Sequence, residues 1–187
     1  MELVPLTRAL TSDGYRILGR DKGVTIFRHP RSAIVDLAAE GGFTARPDRV
    51  RAVLLDYGNH TRYIKSITES RVLERRRDTL LLYQRLRLPI ISDRDYTLQV
   101  SWGADGRVLW LRFACANGRG PAGRRGIVRV QTHEGGWQLL PIQGGSQTWA
   151  RYQMRLDLGG SLPRWMARSG SRSEIPALFE ALRGQVR

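Results

Sequence analysis

Two polar side chains stand at positions where strand alternation calls for apolar ones. Over residues 80–88 one face carries Leu80, Leu82, Gln84, Leu86 and Leu88, and Tyr83, Arg85 and Arg87 take the other. In the next strand Arg94, Tyr96, Leu98, Val100 and Trp102 alternate with Asp95, Thr97, Gln99 and Ser101. Over 147–158, Tyr152, Met154, Leu156 and Leu158 oppose Arg151, Gln153, Arg155 and Asp157. Gln84 and Arg94 therefore lie on apolar faces, where a polar group without a partner is destabilising. Two chemistries satisfy them. In one, Arg94 pairs with Asp93 or Asp95 across a bent strand start, and Gln84 bonds backbone or water. In the other, they are the few polar groups of an apolar cavity and fix a ligand's hydroxyl or head group. The expected lining is then Leu82, Gln84, Leu86, Arg94, Tyr96, Leu98, Val100, Leu111, Phe113, Tyr152, Met154 and Met166.

Catalytic chemistry is thinly represented. His29, His60 and His133 fall in different segments without metal-ligand spacing, and no cluster of cysteines or carboxylates accompanies them. Scattered serines and a single cysteine suggest no nucleophilic triad. Cys115 sits in an apolar strand and reads as an inert core thiol that forms no internal disulfide. Residues 118–123 spell a formal Gly-x-Gly-x-x-Gly, but a strand follows where a helix N-terminus would have to receive a pyrophosphate. No catalytic residue, metal or cofactor is expected from these patterns.

The elements that must position Gln84 and Arg94 are mostly strands. Residues 14–18, 24–29 and 34–43 read as early strands, and Pro47 opens a helix to about Asp56 with Val50, Val53 and Leu54 inward. After a loop and short helix over 57–64, the pattern predicts strands at 67–75, 80–88, 94–102, 108–116, 127–133, 137–142 and 147–158. The last strand turns through Gly159-Gly160, with Ser161 and Pro163 suited to starting a helix. Ile175, Leu178, Phe179, Leu182 and Val186 then recur at helical spacing, so one face of a long closing helix lies on something apolar. The fold class is α+β, a curved antiparallel sheet closed by a C-terminal helix, with residues 1–187 as one domain.

The net charge of +14 comes from 31 basic residues, of which only Lys22 and Lys65 are lysine. Such a chain attracts anionic partners. Nucleic acid is not expected, because stacking aromatics do not cluster with the arginines on one strand face. The basic stretch 117–126 reads as a solvated loop or as an electrostatic contact with anionic lipid through Arg119, Arg124 and Arg125. No stretch reaches the roughly 18 apolar residues of a membrane span. The first residues lack a signal-peptide pattern, so the expectation is a cytoplasmic monomer, or a periplasmic one if a leader lies upstream.

Three stretches together resemble the lipid-transfer domain family related to the steroidogenic acute regulatory protein, the START domains, in its short bacterial form. Gly14-Tyr15-Arg16-Ile17-Leu18 through Lys22-Gly23-Val24-Thr25-Ile26-Phe27 is similar to the family's first strands. Ser92-Asp93-Arg94-Asp95-Tyr96 resembles its Arg-Asp-aromatic strand start, and Gly159-Gly160-Ser161-Leu162-Pro163 its entry to the lid helix. The resemblance implies a helix-grip fold with an internal apolar cavity that holds one lipid. It also implies a gate at Gly159, Gly160, Leu162 and Trp165 that touches the bilayer. Sterol-binding members carry an acidic residue and a second arginine inside the cavity. Here those places fall near Gln84 and at Val100, which favours a less specific, more apolar pocket. Enzymes of polyketide aromatase/cyclase type share the scaffold, and for them an arginine such as Arg94 would act with tyrosine and water.

Overall fold

Alternating apolar residues put one face of nearly every strand into a common core, and the backbone follows. The computed structural model describes residues 1–88, 91–159 and 164–186, with side chains in the last stretch from residue 174. The strands are β1 (Arg16–Asp21), β2 (Val24–Arg28), β3 (Val35–Phe43), β4 (Ile67–Arg75), β5 (Thr79–Leu86), β6 (Arg94–Asp105), β7 (Val108–Cys115), β8 (Val128–Arg129), β9 (Thr132–Ile142) and β10 (Gln147–Asp157). The helices are α1 (Pro47–Leu55), α2 (His60–Tyr63) and α3 (Arg164–Val186). The strands form one curved sheet in the order β1-β2-β3-β10-β9-β7-β6-β5-β4, antiparallel at every step, and β8 runs parallel to the start of β6.

The concave side of the sheet holds α1 and α3. Val50, Val53 and Leu54 of α1 are buried there, as are Ile175, Phe179, Leu182 and Val186 of α3. Phe179 stacks on Phe43 of β3 at 5.5 Å between ring centroids and packs against Trp137 of β9 at 5.2 Å. Gly41 lets the helix come this close, since a Cβ there would lie 3.1 Å from the Phe179 ring. Strand parity thus assigns the interior correctly for β5, β6 and β10.

One stretch departs from the sequence reading. Residues 127–133 and 137–142 were expected as two strands separated at Gly135-Gly136; instead β9 runs unbroken from Thr132 to Ile142, and β8 keeps only two residues. The glycines are sites of close approach rather than a turn. A Cβ on Gly135 would lie 2.1 Å from the Gln153 carbonyl oxygen, and one on Gly136 2.2 Å from that of Leu111. Only strands without side chains here let β7, β9 and β10 pack at this curvature.

The convex side is covered too. Residues 1–14 lie over β10, where the Arg151 guanidinium, 4% exposed, bonds Glu40 and donates to the carbonyls of Val4, Pro5 and Arg8 at 2.8–3.2 Å. Gln153 accepts from the Val4 amide at 2.9 Å. Replacing Arg151 by leucine would leave Glu40 and three carbonyls without their donor. Arg151→Leu should lower stability by about 3 kcal/mol, read as a lower denaturant midpoint, with faster proteolysis of the segment before Tyr15. Unchanged values would show that the arm is held by its apolar contacts alone.

Candidate ligand-binding site

The interior is built by β5, β6, β7, β9 and β10 on one side and by α1 with the turn after it on the other. Leu82, Gln84 and Leu86 of β5, Arg94, Tyr96, Leu98 and Val100 of β6, Leu111 and Phe113 of β7, and Tyr152 and Met154 of β10 all share its concave face. The structure therefore brings these predicted residues together. Gly160 and Leu162 lie outside the described residues, as do the side chains of Trp165 and Met166. Gly159 is described: its φ of +64° suits glycine, and its amide donates to Asp157 at 2.9 Å.

Gln84, 3% exposed, is fully engaged by the protein. Its Oε1 accepts from the Tyr96 hydroxyl at 2.8 Å, its Nε2 donates to Ser70 Oγ at 2.9 Å, and Ser70 passes a hydrogen bond to the Tyr57 carbonyl at 2.7 Å. The amide therefore positions Tyr96. Arg94, 2% exposed, is in a different state. The ion pair expected with Asp93 or Asp95 does not form. Asp93 pairs with Arg85 at 2.5 Å, and Asp95 pairs with Arg129 at 2.6 Å and accepts from Tyr83 at 3.1 Å. Both carboxylates sit on the opposite, convex face, because neighbouring residues of a strand point to opposite sides. Arg94 donates only to the carbonyls of Ser92 and, at 3.4 Å, Gly159, while its Nε has no partner among the described residues. Burial lowers its pKa, yet a guanidinium stays protonated in proteins.

His133 and Tyr57 are the interior polar residues that the sequence reading did not place there. His133 meets the rings of Tyr96 and Phe113 edge-on at 4.7 and 5.0 Å, and its Nδ1 is buried without a partner. Trp137 stacks on Tyr152 at 4.6 Å. Read as one strand, residues 132–142 put His133 in phase with Trp137 and Leu139, and that was the signal available. Burial pushes the hydroxyls of Tyr57, Tyr96 and Tyr152 well above the ordinary tyrosine value, and pushes His133 down to about 4. Desolvation does the same to His60 beneath α1, also to about 4. Burial likewise raises the Cys115 thiol, as fits an inert core position. No group of His, Cys, Asp and Glu suited to a metal occurs among the described residues.

The basic loop does not hang free. Arg119 bonds Glu74 at 2.8 Å and Arg124 bonds Glu69 at 3.3 Å, while Asn117 joins the Thr97 amide and the Val130 carbonyl. The loop lies as a strap over the convex face of β4–β6, and Tyr83 is buried beneath it between Arg71 and Arg124. Arg125 is exposed.

A family model described as polyketide cyclase/dehydrase and lipid transport matches residues 44–183. The chain belongs to that family. The START resemblance and the helix-grip fold both hold. A STAR-related lipid transfer protein from Xanthomonas axonopodis superposes with a TM-score of 0.84 at 23% identity, over 94% of this chain and 99% of that one. The Zhui aromatase/cyclase of a Streptomyces species superposes with a TM-score of 0.56 at 14% identity, over 82% and 93% of the two chains. An uncharacterised Pseudomonas aeruginosa protein is 28% identical over 123 residues, 64% of this chain, and the chain spans 59% of that relative's length. Both lipid-transfer and cyclase relatives thus share this family member's scaffold. No helix among the described residues is long and apolar enough to cross a membrane.

Two desolvated histidines, His60 buried and His133 half-buried with its Nδ1 out of water, give the family member a pH signature. Each has its ordinary value near 6.5 in the unfolded chain and about 4 when folded. Above pH 6.5 both states hold them neutral; below it only the unfolded chain takes up the proton, so stability falls with acidification. From pH 6.5 to pH 5 the loss should be on the order of 2 kcal/mol for buried His60 and smaller for half-buried His133. Urea titrations across that window should show it, and His60→Leu should remove at least half of the slope. A flat profile would mean that both imidazoles are solvated.

Proposed function

We propose that this protein is a lipid-binding or lipid-transfer domain, acting as one unit over residues 1–187, that holds one apolar ligand between the sheet and α3. The observation that carries the reading is the inner face itself. It is apolar along five strands and interrupted by a few fixed polar groups, the composition of a site that binds by partition and orients by a single contact. The lipid-transfer description of the family and the fold shared with the Xanthomonas protein support it. Each CH₂ transferred from water contributes about 0.8 kcal/mol, so a long chain needs no covalent chemistry to be held. Release is assigned to the segment around Gly159, Gly160, Leu162 and Trp165, where Arg94 already contacts the Gly159 carbonyl. Peripheral contact with an anionic membrane is part of this reading. In it Arg125 supplies an exposed charge, while Arg119 and Arg124 must share theirs with Glu74 and Glu69.

A polyketide cyclase/aromatase activity is the second reading, favoured by one observation: Arg94, Tyr96 and His133 lie on one inner face of a fold shared with an aromatase/cyclase. Native mass spectrometry of protein purified from its own host separates the two. A co-purifying lipid is the outcome expected. A linear polyketide converted by the wild type and left intact by Arg94→Leu would establish the enzyme instead.

Filling the interior tests the site. Leu98 is buried between Val100 and Tyr96 on the inner face of β6, so Leu98→Trp should occupy volume the ligand needs. A fluorescent fatty acyl probe should bind the folded variant at least about tenfold more weakly, a loss of about 1.4 kcal/mol. Equal affinity would place the ligand elsewhere.

A further inference from the structure

We propose that the ligand is an anionic amphiphile whose oxyanion sits against Arg94 at the Gly159 end of the interior, with its chain running inward beneath α3. This rests on the lipid-binding reading above and narrows it to a ligand class.

Two observations carry the inference. Arg94 is a buried cation with carbonyl contacts only and an unpartnered Nε, on the same inner face as Tyr96 and Leu98. Withdrawing a charge from water without a counter-charge is strongly unfavourable. The protein's own carboxylates are committed elsewhere. Asp36 and Asp95, the two that are fully buried, lie on the convex face with partners of their own, and Asp93 serves Arg85. Asp157, the carboxylate beside Gly159, accepts from the Gly159 amide and forms no ion pair with Arg94.

The guanidinium itself sets the class of the missing partner. Guanidinium groups suit a carboxylate or a phosphate monoester through paired hydrogen bonds. A fatty acid and a lysophosphatidic acid share that chemistry.

The test uses the full chain and tryptophan fluorescence titration with three ligands of one chain length: oleate, oleoyl lysophosphatidic acid and neutral oleyl alcohol. At least one acid should bind about tenfold or more tightly than the alcohol, and the tighter acid identifies the head group. Arg94→Gln should bring the acid toward the alcohol. Arg94→Lys keeps the charge but loses the paired hydrogen-bond geometry, so it should weaken the preference, and it serves where Arg94→Gln does not fold. If the alcohol binds as tightly as both acids, or if the preference survives in every folded variant, the anionic head group is overturned while the lipid-binding reading stands. If none of the three binds, the lipid-binding reading fails, and this inference fails with it.

Discussion

A guanidinium removed from water with no carboxylate beside it constrains the rest of this interior. Arg94 stands at the first position of β6, where strand parity turns it inward and turns Asp93 and Asp95 away. Its hydrogen bonds go to backbone carbonyls, which solvate a charge without neutralising it. One of them belongs to Gly159, two residues beyond β10, so the charge also ties the strand that enters the closing helix to the start of β6. Under the proposed lipid-binding reading, ligand capture and the geometry of the entrance would share one group.

The outer face solves the opposite problem with the same residue type. Arg151 and Arg129 are withdrawn from water as well, but each has a carboxylate, Glu40 and Asp95 respectively, and carbonyls of the chain it fastens. One holds the N-terminal arm and the other the strap after β7. Buried pairs of this kind add little net stability against an apolar alternative, yet removing one partner is expensive. That asymmetry suits a clamp. With arm and strap in place, the sheet is covered on its convex side and can be deeply curved around α1 and α3 on the other.

Much of this was legible in the sequence, because the period of two survives wherever one strand face is buried. The inner residues of β5, β6 and β10 follow from alternation, and those of α3 from helical spacing. Gln84 and Arg94 stand out as violations of the first pattern. Three things were not legible. The Gly135-Gly136 pair looks like a boundary, but its role is to admit the backbones of β7 and β10, a tertiary demand with no local signature; misreading it hid His133. The partners of Asp93 and Asp95 come from Arg85 and Arg129, the latter 34 residues from Asp95, so proximity in sequence pointed to the wrong arginine. Glu69 and Glu74 are likewise 55 and 45 residues from the loop arginines they hold, which is why a strap reads as a loose hairpin.

The state of the interior groups bears on which activity the scaffold serves. A general acid or base works best with a pKa near the working pH. Here desolvation drives the candidates apart: His133 is neutral down to about pH 4, and the hydroxyls of Tyr57, Tyr96 and Tyr152 are held protonated beyond their ordinary range. The Tyr96 proton is further committed to Gln84, so this hydroxyl is left to accept rather than to donate. Such groups are poorly matched to moving protons at neutral pH and well matched to remaining uncharged around an apolar chain. Neutral walls also leave Arg94 as the interior's fixed charge among the described residues, so a ligand bound there would be oriented at one end. Under the proposed reading, a partition site anchored at Arg94 would let the ligand slide in along its chain and lock by its head, with the same anchor at the point where it must leave.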